Sequence, residues 1–417
     1  MPAFLTHWRV LIEAAQRCQD AGSDLGSLII DAEALRRRLN SLSLLPAPPQ
    51  TTPAGAVWDT GPLPQIDYRF PGSDISAMAF LGALAPDITS YRKGHFQARM
   101  SGAARRRRTA LRPPPNGSID WAMLLHTNRS GDFLLAFLEH IADIPAPALR
   151  SQALAFTMGY LSHIATDIAL NPWINTLAGA YAANDIAGLF APLDAYAYVE
   201  LCLDEYIATT YFDHPLHTWF NQPWVGYIEP TIRNLTATGT LTTPLLDLLT
   251  SAAATTYGLT EEQGNLFRRD SQMGLQRLSL YLAGRGTFRW FTWQARQRQR
   301  KNDPVIATIA AQQRKPGVVT VEDAMTYAIR LSERLCRHAI RYYASLRNTS
   351  ASASERNQRR AALQNDLLNW DLNTGYTVDV TFDQQVTVRF LHNWIYFAEL
   401  WDIGRSGMMQ PQSSLAE

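Results

Sequence analysis

The run Gly159-Tyr160-Leu161-Ser162-His163-Ile164-Ala165-Thr166-Asp167 sets an imidazole and a carboxylate four residues apart in an otherwise apolar segment. At that spacing both side chains lie on one face of a helix. From Ser151 to Leu170 no other residue would carry charge near neutral pH. The helix therefore reads as buried, and a buried carboxylate is costly unless a cation faces it. Neutral imidazole together with carboxylate suits a divalent metal such as zinc. The same spacing also serves a hydrogen-bonded core pair, so both readings stay open on this motif alone.

Further candidates lie along the chain. His7 opens the first helical pattern, and Asp87 closes the phrase Phe80-Leu81-Gly82-Ala83-Leu84-Ala85-Pro86-Asp87. His126 precedes the turn-forming Thr127-Asn128-Arg129-Ser130-Gly131-Asp132, and Glu200 and Asp204 form a second i, i+4 pair. Each has an ordinary alternative. His7 and Asp87 would serve as caps or turn residues, His126 would bind a backbone carbonyl, and Glu200 and Asp204 would face solvent.

The elements that must position these residues are mostly helical. Apolar spacing predicts helices over 6–19, 31–40, 73–84, 118–126, 131–141, 148–170, 194–211, 241–256, 261–282, 321–345 and 354–370. Pro-, Thr- and Gly-rich residues 46–64 and the arginine- and proline-bearing stretch 92–117 read as loop insertions. Near the end, Tyr376, Val378, Val380 and Phe382 alternate with polar residues, as do Val386, Val388 and Phe390, with Asp383-Gln384-Gln385 between them. That pattern predicts a small β-hairpin. The fold class is mostly α: a helical catalytic domain over 1–300 and a C-terminal accessory region over 301–417.

Bulk properties narrow the function classes. At 417 residues, with 46% hydrophobic and 18% charged side chains, the chain can build a sizeable core. A formal net charge of +1 gives no global attraction to nucleic acid. Cys18, Cys202 and Cys336 are far apart and form no CxxC pair, which argues against thiolate zinc and a disulfide framework. No membrane span is expected. The first residues lack a basic segment followed by a long apolar run, so no cleavable secretion signal is expected. If the protein acts outside the cytoplasm, as a secreted effector would, it leaves by a leaderless route.

The ordered segments resemble the zinc-dependent phospholipases C of bacteria, a helical family with a cluster of up to three zinc ions. An early Thr6-His7 opens the first helix, and Asp87 follows in a Gly…Pro-Asp phrase. His126 with its Gly/Asp turn comes next, then Gly-x-x-x-His-x-x-x-Asp at 159–167, then the carboxylate helix. The likeness covers roughly residues 1–15 and 73–210. It implies that His126, His163 and Asp167 hold one zinc, and that His7 holds a second bridged by Asp167. Asp87 corresponds to the carboxylate that orients or deprotonates the attacking water, and Pro2 is the analogue of an amino-terminal ligand. The third family site is altered, with Asn171 and Tyr196 at two of its ligand positions and Glu200 kept, so two Zn2+ ions are expected.

By that resemblance the chain is a phosphodiester hydrolase of phospholipase C type. It would meet a phospholipid headgroup at a membrane surface and release diacylglycerol and a phosphorylated headgroup. Two other readings are a zinc phosphodiesterase like the single-strand nucleases and a non-catalytic helical binding protein with a degenerate metal site. Arg105 to Arg108, and Phe288, Trp290, Phe291 and Trp293 among arginines, read as solvated or core segments, or as surfaces for anionic lipid.

Overall fold

In helix α1 (Phe4–Asp20), of the residues at helical spacing, Trp8, Leu11 and Ala15 are buried and Ile12 is partly buried, and Phe4 and Leu5 are buried with them. A computed structural model describes residues 4–20, 75–91, 119, 121–183, 192–211, 242–282, 309, 320–372 and 376–377. The expected helix over 31–40, both loop insertions, the arginine run and the aromatic–arginine cluster lie outside the described residues.

The described chain continues with α2 (Ile75–Gly82), a 3-10 helix (Ala85–Tyr91), α3 (Trp121–Thr127), α4 (Ser130–Ala142), α5 (Pro147–Ala183) and α6 (Pro192–Thr210). It ends with α7 (Thr242–Tyr257), α8 (Glu261–Leu282), α9 (Val321–Arg347), α10 (Ala353–Leu367) and two short strands, β1 (Trp370–Asp371) and β2 (Tyr376–Thr377). The protein is mostly α.

Helix α5 occupies the centre, with α1, α2, α4, α6 and α9 packed around it. Its span Leu149–Asn171 is apolar enough to cross a bilayer, yet residues 152–171 are all buried inside the protein. A helix apolar on every side is a core helix when other helices cover it. Helix α4 packs on α7, α7 on α8, and α8 on the 3-10 helix that carries Asp87.

Helix α9 begins with a capping box, in which Asp323 N–H donates to Thr320 Oγ1 (3.1 Å) and Thr320 N–H to Asp323 Oδ2 (2.8 Å). Near that start, Glu322 receives both guanidinium nitrogens of Arg9, at 2.9 and 2.6 Å, so α9 is clasped to α1. Residues 321–367 thus share one core with the helices that carry His7 and His163.

Two boundaries differ from expectation. Helix α5 runs on through Pro172 to Ala183, although proline removes a main-chain donor inside a helix. Trp173 and Ile174, just beyond it, are buried, so packing outweighs the lost bond. Trp370 leaves the last helix for β1, where it pairs with Thr377 as Asp371 pairs with Tyr376. Of the hairpin expected over 376–390, only Tyr376 and Thr377 are described, as β2 paired with β1, and residues 378–390 lie outside the described residues.

Candidate metal centre

The site begins where α2 and α5 cross on small residues. A Cβ on Gly159 would lie 1.9 Å from Ala79 O, and one on Gly82 would lie 1.9 Å from Phe156 O, so main chain meets main chain. This approach brings the Ala83 carbonyl against α5 one helical turn after Gly159, and it binds His163 Nδ1 at 2.8 Å. A carbonyl only accepts, so Nδ1 carries the hydrogen and a neutral ring presents a lone pair at Nε2. His126 is held alike, its Nδ1 donating to Ala122 O at 2.6 Å. Tethering one ring nitrogen so that the other is ready to ligate is the usual support of a metal-binding imidazole.

Both free Nε2 atoms turn toward Asp167. Its Oδ2 lies 3.1 Å from His163 Nε2 and 3.8 Å from His126 Nε2, while its Oδ1 lies 3.6 Å from His7 Nε2. Asp87 Oδ1 closes the group, 3.6 Å from His126 Nε2. The rings of His7 and His163 stack with centroids 4.0 Å apart. Two candidate ligand sets result, His7–His163–Asp167 and Asp87–His126–His163, each with one donor atom per residue and those atoms within 4.8 Å of one another. Five of the six expected ligands therefore converge, from α1, the 3-10 helix, α3 and α5.

Electrostatics sort the protons. Burial, reinforced by the neighbouring His163, lowers the His7 pKa to about 3. Burial also lowers that of His126, outweighing the pull of Asp87 and Asp167. For His163 burial works the same way, but Asp167 outweighs it and the net shift is upward. Burial opposes ionisation of Asp167, yet His163 brings its pKa below the usual value. His163 and Asp167 each favour the other's charged form, and a divalent cation would compete with a proton at His163.

Zinc fits this donor set. His7 Nδ1 and His163 Nε2 are buried without a hydrogen-bond partner among the described residues, and the 3.1 Å approach of His163 to Asp167 is not aligned as a hydrogen bond. Imidazole nitrogens grouped around a bridging carboxylate are a zinc ligand set.

The second carboxylate pair does not face solvent. Asp204 is wholly buried and Glu200 is 7% exposed. Asp204 Oδ1 accepts from Thr6 N–H at 3.2 Å and from Thr6 Oγ1 at 3.0 Å, capping the first turn of α1 from α6. Burial holds the Asp204 carboxyl well above the usual carboxylate range, against its donors from Thr6 and with Glu200 adding to the rise. Asp204 thus seats His7, the residue after Thr6. Glu200 falls in neither candidate set. The Tyr196 side chain and residues 1–3 lie outside the described residues.

Residues 63–232 match the model of a family described as zinc dependent phospholipase C. That match supports a zinc-dependent phospholipase C family. Asp87, His126, His163, Asp167, Glu200 and Asp204 fall within the matched residues, and His7 precedes them. The match supports Zn2+ as cofactor and a phospholipase C-type activity. No curated protein and no solved structure matches the chain.

The tethering carbonyls of Ala83 and Ala122, the cap from Asp204 and the close helix crossing had not been singled out as parts of the site. Gly82 and Gly159, each within four residues of a site element, were the available signal for the crossing.

Proposed function

We propose that the protein is a zinc-dependent phospholipase C that cleaves glycerophospholipids on the diacylglycerol side of the phosphate. His7, His163 and Asp167 hold one ion and His126 the second, with Asp167 shared and Asp87 completing the set, a different grouping from the His126, His163 and Asp167 set that the resemblance implies. The supporting observation is the convergence of these five side chains with two imidazoles tethered at Nδ1. Two bound zinc ions would supply a water of lowered pKa and neutralise charge gathering on the phosphate.

Exposure divides the remaining work. His7, His126, His163 and Asp167 have side chains 9% exposed or less, whereas Asp87 is 21% exposed. Asp87 is the carboxylate at the solvent edge, so its oxygens orient the attacking water and accept its proton. Asp87 Oδ1 lies 3.6 Å from His126 Nε2, close enough for one cation to be held by both. The near-neutral net charge favours a lipid headgroup over a long polyanion.

The test uses purified full-length protein with zinc, on phosphatidylcholine and phosphatidylethanolamine vesicles and, separately, on single-stranded DNA. Phosphorylated headgroup release by the parent, lost with Asp167→Ala together with most of the bound metal, is the expected result. DNA degradation without headgroup release overturns the substrate, and an Asp167→Ala chain that keeps its metal and activity overturns the site.

A further inference from the structure

We infer that residues 368–372 form a strap that positions His126 for metal binding, with Asn369 and Ser130 as positioning residues. The inference rests on reading His126 as a ligand. Helix α3 has only seven residues and carries His126 next to its end, where main-chain carbonyls lack helical partners. The partner comes from far along the chain, because Leu372 N–H donates to His126 O at 2.7 Å. The side-chain amide of Asn171 donates to Leu372 O. Asn171 stands four residues beyond Asp167, so one residue of the strap joins the helix bearing His126 to the helix bearing His163 and Asp167.

The other end of the strap grips the start of α4. Arg129, at the N-cap, is left-handed with φ 51° and makes no capping bond with its side chain. Asn369 does that work instead, its Oδ1 accepting from Gly131 N–H at 3.2 Å and Asp132 N–H at 3.1 Å. Ser130 and Trp370 exchange two bonds, Oγ–H to Trp370 O at 2.9 Å and Trp370 N–H to Oγ at 3.0 Å. A Cβ on Gly131 would lie 1.9 Å from Leu368 O, so only glycine admits the strap this closely. Leu368 has φ 38° and ψ −177°, a strained conformation for a residue with a side chain, and such strain persists where the surroundings over-determine it. The short turn after His126 is thereby pinned at both ends.

The experiment titrates full-length protein with Zn2+ against a chelating dye and records the visible spectrum of the Co2+-loaded protein, alongside thermal unfolding. Compared are the parent, Asn369→Ala, Ser130→Ala, His126→Ala and Tyr342→Phe. Tyr342→Phe is a control that deletes a 2.7 Å bond to Glu139 away from the strap. Outer supports of metal ligands are worth 10–100-fold in affinity, so Asn369→Ala and Ser130→Ala should weaken zinc about tenfold and change the Co2+ spectrum. Tyr342→Phe should change neither. Should Asn369→Ala fail to fold, Asn369→Ser is measured in its place. Strap variants that lower the unfolding temperature while zinc affinity and spectrum stay at parental values overturn the inference, provided His126→Ala weakens binding. If His126→Ala binds zinc like the parent, the ligand assignment itself falls.

Discussion

Gly159→Ala isolates what the crossing of α2 and α5 contributes to the metal centre. Alanine is favoured over glycine inside a helix by about 1 kcal/mol, which alone would stabilise the protein. Here the new methyl would lie 1.9 Å from Ala79 O and 2.6 Å from Ala83 N, whereas ordinary contact begins at 3.4 Å. The helices must part by the difference between the first and last of those distances, about 1.5 Å, because the opposing atoms are main chain and cannot rotate aside. Overpacking costs roughly 1–3 kcal/mol, and a backbone clash lies at the upper end, leaving a net loss of about 2 kcal/mol.

The same displacement stretches the 2.8 Å bond from His163 Nδ1 to Ala83 O beyond hydrogen-bonding range. Without its tether the ring is no longer oriented, and zinc affinity should fall about 10–100-fold. Gly264→Ala is the contrasting case, since its methyl meets nothing closer than Thr250 Cγ2 at 3.4 Å. It should gain about 0.5–1 kcal/mol and leave zinc binding unchanged. Denaturant titration and zinc competition on the same preparations give both quantities. A Gly159→Ala protein as stable as the parent, with parental zinc affinity, would refute the reasoning.

Two further outcomes are expected. Asp204→Ala should lose about 1–2 kcal/mol in urea denaturation, because Thr6 N–H and Oγ1 would be left buried and unpaired, and it should bind less zinc through His7. Asp204→Asn keeps an accepting oxygen and should retain most of both. Chelation should lower the unfolding temperature of the parent: free zinc at 100 times its dissociation constant contributes about 2.7 kcal/mol, and Asp167→Ala should show little of that metal-dependent gain by calorimetry.

Much of the site was legible because side-chain chemistry and period carried it. His163 and Asp167 shared a helical face by spacing alone, and the order of His7, Asp87, His126 and that pair carried the family likeness. What escaped notice depends on main-chain atoms and on distance. Asn369 caps a helix that begins 239 residues earlier, with Asn369 Oδ1 meeting Asp132 N–H across 237 residues, and no spacing rule reaches that far. For Asp204 spacing left both a site role and a solvated face open, since only the seating of α1 against α6 turns it inward. The helix expected to end at Leu170 runs on past Pro172, where Trp173 and Ile174 are buried.

The clasp between Arg9 and Glu322 also bears on how the molecule is made. These two residues are separated by 313 positions, and a ribosome adding roughly 5–20 residues per second needs on the order of 15–60 s to bridge them. Through that interval the first helix exists without its lasting partner on α9. The centre that depends on His7 therefore takes its final seating only after Glu322 has been added.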